Sequence, residues 1–169
     1  LFNHESPRRG ENFISRKVII GIIKILKGQQ KCLYLGNLKS KRDWGHAKEF
    51  VDAQWKILQY KTPDDFVIAT GKNYSVKDLV NLVLKKLKIK YLWKKDKKGY
   101  EYAIAQDDIG QIKKSQIIIK QEKIYFRPNE VHNLVGDYRK ATKLLKWKPK
   151  IKFDRLISEM IDSDLKNII

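Results

Sequence analysis

Cysteine, methionine and closely spaced glycines are what this 169-residue chain has least of. Its one cysteine, Cys32, rules out an internal disulfide framework and fits a reducing compartment, the cytoplasm. The three histidines, His4, His46 and His132, lie far apart; with a single cysteine they offer no zinc-ligand spacing, so no metal is expected. None of the nine glycines lies within three positions of another, which excludes a G-x-G-x-x-G dinucleotide loop and a Walker loop alike. No apolar run approaches the roughly 20 residues of a membrane span. The most apolar stretch, 18–26, is short and is interrupted by Gly21 and Lys24. Charged residues come early (Glu5, Arg8, Arg9, Glu11), so no signal peptide is expected there. The chain opens on Leu1 and its only methionine is Met160, which reads as a clipped or partial chain.

Basic residues are abundant: 37 Lys and Arg against 19 Asp and Glu, a net charge of +18. Such a balance suits a polyanion-binding module. Here, however, the lysines are spread throughout, and the densest cluster, 94–98, is broken by Asp96. Isoleucine and asparagine are enriched alongside lysine, and all three have A/T-rich codons, so compositional drift accounts for the excess without a selected partner. A nucleic-acid-binding module is therefore the alternative reading, not the leading one. The 42% hydrophobic content and the length support one folded unit with a core.

Strands and helices alternate along the chain, which predicts an α/β protein. Residues 1–10 read as a strand end running into a polar loop. A helix is predicted over 11–27, ended by Gly28, and short extended pieces over 32–35 and 41–44, the second ending at Gly45. The next helix, 46–60, places Ala47, Val51, Trp55 and Leu58 on one apolar face, with Phe50 beside them. The run Phe-Val-Ile-Ala within 65–70 predicts a buried strand. Ser75 and Asp78 form a capping box for a helix with the stripe Val76, Leu79, Val80, Val83, Leu84 and Leu87. Residues 89–126 read as an irregular excursion with extended runs at 89–93, 116–120 and 123–126. Asp137 is expected to cap a short helix with Ala141, Leu144 and Leu145 inward. A final helix over 153–166 carries Phe153, Leu156, Ile157, Met160, Ile161 and Leu165 at helical spacing.

Few residues offer chemistry. Cys32, within Cys-Leu-Tyr-Leu, reads as a buried structural thiol. Tyr91 and Lys95 have Tyr-x-x-x-Lys spacing, which on a helix puts both on one face and makes the tyrosine a base. Their flanks are strand-like and lysine-dense, so the match reads as chance and no catalytic residue is assigned. Three polar segments stand out: 3–9 with an Asn, a His and two Arg, 41–46 with Lys-Arg-Asp-Trp-Gly-His, and 127–131 with Arg-Pro-Asn-Glu-Val. Each puts an arginine at the edge of an element. Singly, each suits a surface ion pair. Together they suit a diphosphate-containing ligand, with Glu130 accepting from ribose hydroxyls.

The strings Leu-Phe-Asn-His-Glu-Ser-Pro-Arg-Arg-Gly-Glu-Asn-Phe at 1–13, Leu-Gly-Asn-Leu at 35–38 and Lys-Arg-Asp-Trp-Gly-His-Ala-Lys at 41–48 carry a further signal. So do Asp-Asp-Phe-Val-Ile-Ala-Thr-Gly at 64–71, Arg-Pro-x-Glu-Val at 127–131, Gly-Asp at 136–137 and Trp-Lys-Pro at 147–149. In this order they resemble the C-terminal portion of the GDP-mannose 4,6-dehydratase family, extended short-chain dehydrogenases/reductases. The resemblance is weakest over 89–123, and Tyr138 and Arg139 stand where the family has smaller residues. It implies a partial NAD(P)-binding Rossmann-type fold: the last strands of the sheet plus the smaller C-terminal substrate-binding domain. Residues 1–10 and 60–90 would be remnants of the Rossmann domain, and 11–59 and 91–169 mainly the substrate-binding portion. The family converts GDP-mannose to GDP-4-dehydro-6-deoxy-mannose with NADP. It does so with a threonine, a glutamate, a Tyr-x-x-x-Lys pair and a glycine loop that have no counterpart here. By the resemblance, His4 and Arg9 contact NADP, and Asn3, Lys17, Arg42, Arg127 and Glu130 hold the GDP part of GDP-mannose. The expected partners are a missing N-terminal half or further copies in a homo-oligomer, and the fragment alone is expected to be inactive.

Overall fold

Isoleucines at 19, 20, 22, 23 and 25 make helix α1 (Ile14–Leu26) apolar on nearly every side, and such a helix belongs in an interior. β-Branched residues are mediocre helix formers, so burial, at roughly 1.5–3 kcal/mol per aliphatic side chain, is what holds this segment helical. Gly21 lets α1 approach strand β2 (Leu33–Leu35): a Cβ there would lie 2.8 Å from the Leu33 side chain. Gly28, at φ +77°, turns the chain out of the helix.

The computed structural model describes residues 1–167. After β1 (Asn3–Glu5), α1 and β2 come β3 (Lys41–Arg42), β4 (Trp44–His46), α2 (Ala47–Leu58), β5 (Tyr74–Ser75) and α3 (Val76–Lys86). The chain continues through β6 (Tyr91–Lys95), β7 (Glu101–Ala105), β8 (Ile117–Gln121), a 3-10 turn (Lys123–Tyr125), α4 (Arg139–Leu145) and α5 (Phe153–Asn167). Helices α1, α3 and α5 pack together beside a four-stranded sheet ordered β2-β8-β7-β6. In that sheet β2 runs parallel to β8, and β8, β7 and β6 are antiparallel. Most buried apolar side chains join this one cluster. A smaller cluster of Phe50, Ala53, Ile68, Ala141, Leu145 and Trp147 lies beneath α2 and α4. Two short ladders complete the fold: parallel β1–β4, with Asn3 opposite Trp44, and antiparallel β3–β5.

Several expectations hold. Ser75 caps α3 through a capping box with Asp78, and Val76, Leu79, Val80, Val83 and Leu84 are buried. Others are corrected. Helix α2 buries Phe50 and Ala53, while Val51, Trp55 and Leu58 are 61%, 61% and 78% exposed, so the helix presents the opposite face to the one expected. The extended piece at 41–44 runs on through Gly45 to His46. Residues 65–70 form no strand. Ile68 and Ala69 are buried, but the Thr70 amide goes to the Asp43 carboxylate rather than to a neighbouring strand. Residues 89–126 are an ordered antiparallel meander rather than an irregular excursion: β6 and β7 form a hairpin, β8 pairs with β7, and β2, some eighty residues upstream, completes the sheet on β8. Within it, 123–125 is a 3-10 turn. Tyr138 rather than Asp137 occupies the α4 cap. On α5, Leu165 is exposed, and Asp164 is buried instead, ion-paired with Arg16 at 2.8 Å. Among the described residues no helix is long and apolar enough to cross a membrane, and no group of His, Cys, Asp and Glu is placed to hold a metal ion.

Candidate functional site

The three polar segments meet at one cleft of about 480 Å³. It opens between the N-terminal end of α1, the β2–β3 connection and the 123–130 segment. Asn3 and Arg9 come from β1 and the loop after it, Lys17 from the first turns of α1, Arg42 from β3, and Arg127 and Glu130 from the loop after the 3-10 turn. Four cationic side chains face a single carboxylate, Glu130. Helix α1 adds to that field: no side chain caps its N-terminus and no acidic residue lies in its first turn, so its positive dipole end stays open to an anion.

The cations are held in place by their neighbours. The Arg9 guanidinium stacks 3.5 Å from the centroid of Phe13 and lies 3.4 Å from Glu5. Lys17 Nζ sits 4.6 Å from the centroid of Tyr125. Arg42 donates from Nη1 to the carbonyls of Lys41 (2.8 Å) and Val131 (2.5 Å), and its Nη2 lies 3.2 Å from Glu130 Oε1. Arg42 thus pins the far wall of the cleft while Arg127 is exposed at its rim. Gly36 lets the two walls close up, since a Cβ at that position would overlap the Tyr125 carbonyl.

Beneath the cleft, Ser15 donates to Glu5 at 2.5 Å, and Arg16 donates to the carbonyls of Pro7 and Arg9, the latter at 2.9 Å. The loop that carries Arg9 is therefore tied to α1. Burial pushes the Glu5 carboxyl above its ordinary range, while the Ser15 hydroxyl and the Arg9 guanidinium pull it back. Burial also raises the Cys32 thiol to about 11, in keeping with a structural rather than a nucleophilic cysteine.

Six of the seven nominated residues line the cleft. His4 does not: its ring stacks on Phe50 at 5.2 Å and its Nδ1 lies 2.9 Å from the Phe2 carbonyl, on the side of the smaller cluster. Tyr91 and Lys95 lie on strand β6, not on a helix. The Tyr91 hydroxyl donates to Asn81 at 2.9 Å, and burial raises its pKa, so it is no base. Phe13, Gly36 and Tyr125 were not nominated as site residues. Gly36 and Tyr125 are almost ninety positions apart, and no spacing rule connects them.

The sequence profile of one family, described as GDP-mannose 4,6 dehydratase, matches residues 1–160. GDP-mannose 4,6 dehydratase 2 of Caenorhabditis elegans is 46% identical over 165 residues, covering 98% of this chain and 41% of its own length. The GDP-mannose 4,6-dehydratases of Vibrio cholerae and Homo sapiens are 44% and 42% identical, with 45% and 43% of their lengths covered. The chain thus spans less than half the length of these relatives. Among solved structures, RMD from Pseudomonas aeruginosa complexed with NADPH superposes with a TM-score of 0.73 at 16% identity, covering 98% of this chain and 47% of that one. The dTDP-glucose 4,6-dehydratase of Bacillus anthracis in complex with NAD gives 0.70 at 16% identity, covering 99% of this chain and 43% of its own. At that identity the likeness concerns fold, and the fold is a partial Rossmann-type α/β one.

Proposed function

The chain belongs to the GDP-mannose 4,6-dehydratase family, and on that premise we propose that it carries the part of the enzyme that holds the GDP moiety of GDP-mannose. The single observation behind this reading is the convergence of Asn3, Lys17, Arg42, Arg127 and Glu130 on one cleft at the open end of α1, with Arg9 at its cofactor edge. A diphosphate brings negative charge that the arginines, Lys17 and the helix end offset. Glu130, ion-paired with Arg42, accepts from the ribose hydroxyls. Asn3 supplies a neutral amide to orient the ligand.

The residues present fit a dinucleotide only along one edge. Arg9 presents a mostly buried guanidinium toward the cleft, and His4 stands behind it on β1. Both are assigned to the NADP side. A nicotinamide dinucleotide, when bound, supplies the hydride acceptor and donor for the family's reaction. Without a glycine loop or a Tyr-x-x-x-Lys pair on a helix, this chain positions substrate and leaves the chemistry to the remaining length of the family fold. We further propose NADP over NAD, and GDP-mannose as the whole enzyme's substrate.

Isothermal titration with GDP tests the binding. Binding that weakens as salt rises is the expected outcome, and no heat at millimolar GDP refutes it. Incubation with GDP-mannose and NADP tests the division of labour: sustained 4-keto-sugar formation by this chain alone overturns it.

A further inference from the structure

Arg42 and Asp43 are adjacent, and in extended backbone neighbouring side chains point to opposite sides. Arg42 reaches Glu130 and Val131 at the cleft. Asp43 is 0% exposed, and its carboxylate accepts four hydrogen bonds. Oδ1 takes the Thr70 amide (2.9 Å) and the Thr70 hydroxyl (2.6 Å), and Oδ2 takes the amides of Gly71 (2.9 Å) and Gly136 (3.2 Å). Among the described residues no cation pairs with it within 4.0 Å. A buried carboxylate stabilised by amide and hydroxyl donors alone makes its position depend on all of them.

Residues 122–140 carry Arg127 and Glu130, and Gly136 is the only buried residue among them. Its burial depends on its being glycine: a Cβ there would overlap Ala69 and come 2.8 Å from the Phe2 ring. Other ties of this arm to the body include Lys41 N to the His132 carbonyl (2.9 Å), Leu134 N to the Lys41 carbonyl (3.2 Å), Glu122 N to the Leu35 carbonyl (2.9 Å), Asn73 to Asn133, and the Arg42 bonds to Val131 and Glu130.

We propose that Asp43 is a positioning residue of the GDP cleft: its buried carboxylate anchors the 122–140 arm at Gly136 and thereby sets where Arg127 and Glu130 stand. This rests on the reading of the cleft given above. Asp43→Asn preserves shape but turns one acceptor into a donor facing amide donors. It is expected to weaken GDP affinity by about tenfold to a hundredfold. It is also expected to speed hydrogen exchange at the amides of Lys41, Leu134 and Gly136 while leaving α1 and α5 protected. Leu145→Ala, in the smaller cluster but off the arm, serves as the structural control: it lowers Tm and leaves GDP affinity within about twofold. Thr70→Val removes the hydroxyl's bond to the Asp43 carboxylate, along with its contacts to the Lys72 backbone, and keeps the test alive if Asp43→Asn does not fold; it weakens GDP binding by about a few-fold to tenfold, on the order of one lost bond to a charged acceptor. Unchanged affinity and unchanged exchange in the Asp43 and Thr70 variants overturn the proposal, as does an equal affinity loss in Leu145→Ala. If the wild-type chain binds no GDP, the cleft reading fails by itself. Asp43 is then judged on exchange at those three amides, and unaltered protection refutes its role.

Discussion

Helix α1 is apolar on nearly every side and α2 carries two apolar rows, and the two end in opposite situations. Nine of the thirteen residues of α1 are buried, and α3, α5 and β2 surround it. Of the twelve residues of α2 only Phe50 and Ala53 are buried, and Val51, Trp55 and Leu58 stand at the surface. The core around α1 is closed within this chain; β4 is buried between α5 and α2, whereas the outer row of α2 is left open. Parallel strands such as β1 and β4 ordinarily lie between two covered faces, and the relatives are more than twice as long as the matched region. The proposed GDP cleft rests mainly on the complete side, through α1 and the β2–β3 connection. His4, assigned to the cofactor, rests on the incomplete side, against Phe50.

The sharpest way to break this comparison is to empty the complete core. Ile22→Ala, at a position 1% exposed, should cost roughly 2–5 kcal/mol in urea unfolding. A loss below 1 kcal/mol would mean that the α1 core is not what holds the chain together. Next in size is Arg42→Ala, which removes the bonds to Val131 and Glu130 and should weaken GDP binding by about tenfold or more, on the order of 1.5–3 kcal/mol for charge-assisted bonds. Titration calorimetry reads it, with Arg155→Ala on α5 as a control outside the cleft. On the open side, Trp55→Ser and Leu58→Ser should each shift stability by no more than about 0.5 kcal/mol and should reduce self-association in sedimentation. A core-sized loss would show that α2's outer face is already packed.

The smallest effect concerns pH. The folded-state pKa of Glu5 lies above its unfolded value, so the folded chain holds that proton between the two. The contribution of this group to stability therefore falls as pH rises through that window. Glu5→Gln removes the titration, so thermal melts of wild type and variant should differ more at neutral pH than at acid pH. Parallel pH profiles would refute the assignment.

Much of the fold was legible because the signals are local. The Ser75–Asp78 capping box, the apolar stripe of α3 and the periodicity of α5 each act within one or two turns. The α2 face was misread for a reason the residues make plain. The helix has two apolar rows, Val51–Trp55–Leu58 and Phe50–Ala53–Ile57, and periodicity cannot choose between them. The meander β6–β8 carries no clean in–out alternation (Tyr-Leu-Trp-Lys-Lys, Glu-Tyr-Ala-Ile-Ala, Ile-Ile-Ile-Lys-Gln), and the strand that completes its sheet, β2, lies far upstream, so its order is not written locally. At the site, the arginines and Glu130 were legible from residue type and resemblance, whereas Phe13, Gly36 and Tyr125 act only through contacts made after folding.

By itself the chain's order of residues determined where most helices begin and end, which family's strings it carries, and the absence of a glycine loop, since each is written in adjacent positions. Tertiary structure alone decided which row of α2 turned inward, that Leu33–Leu35 joined the meander, and that side chains from positions 3 to 130 share one cleft. The physical reason is the range of the forces. Capping and backbone propensity act between near neighbours, but burial and strand pairing reward whichever distant surfaces the folded chain brings together.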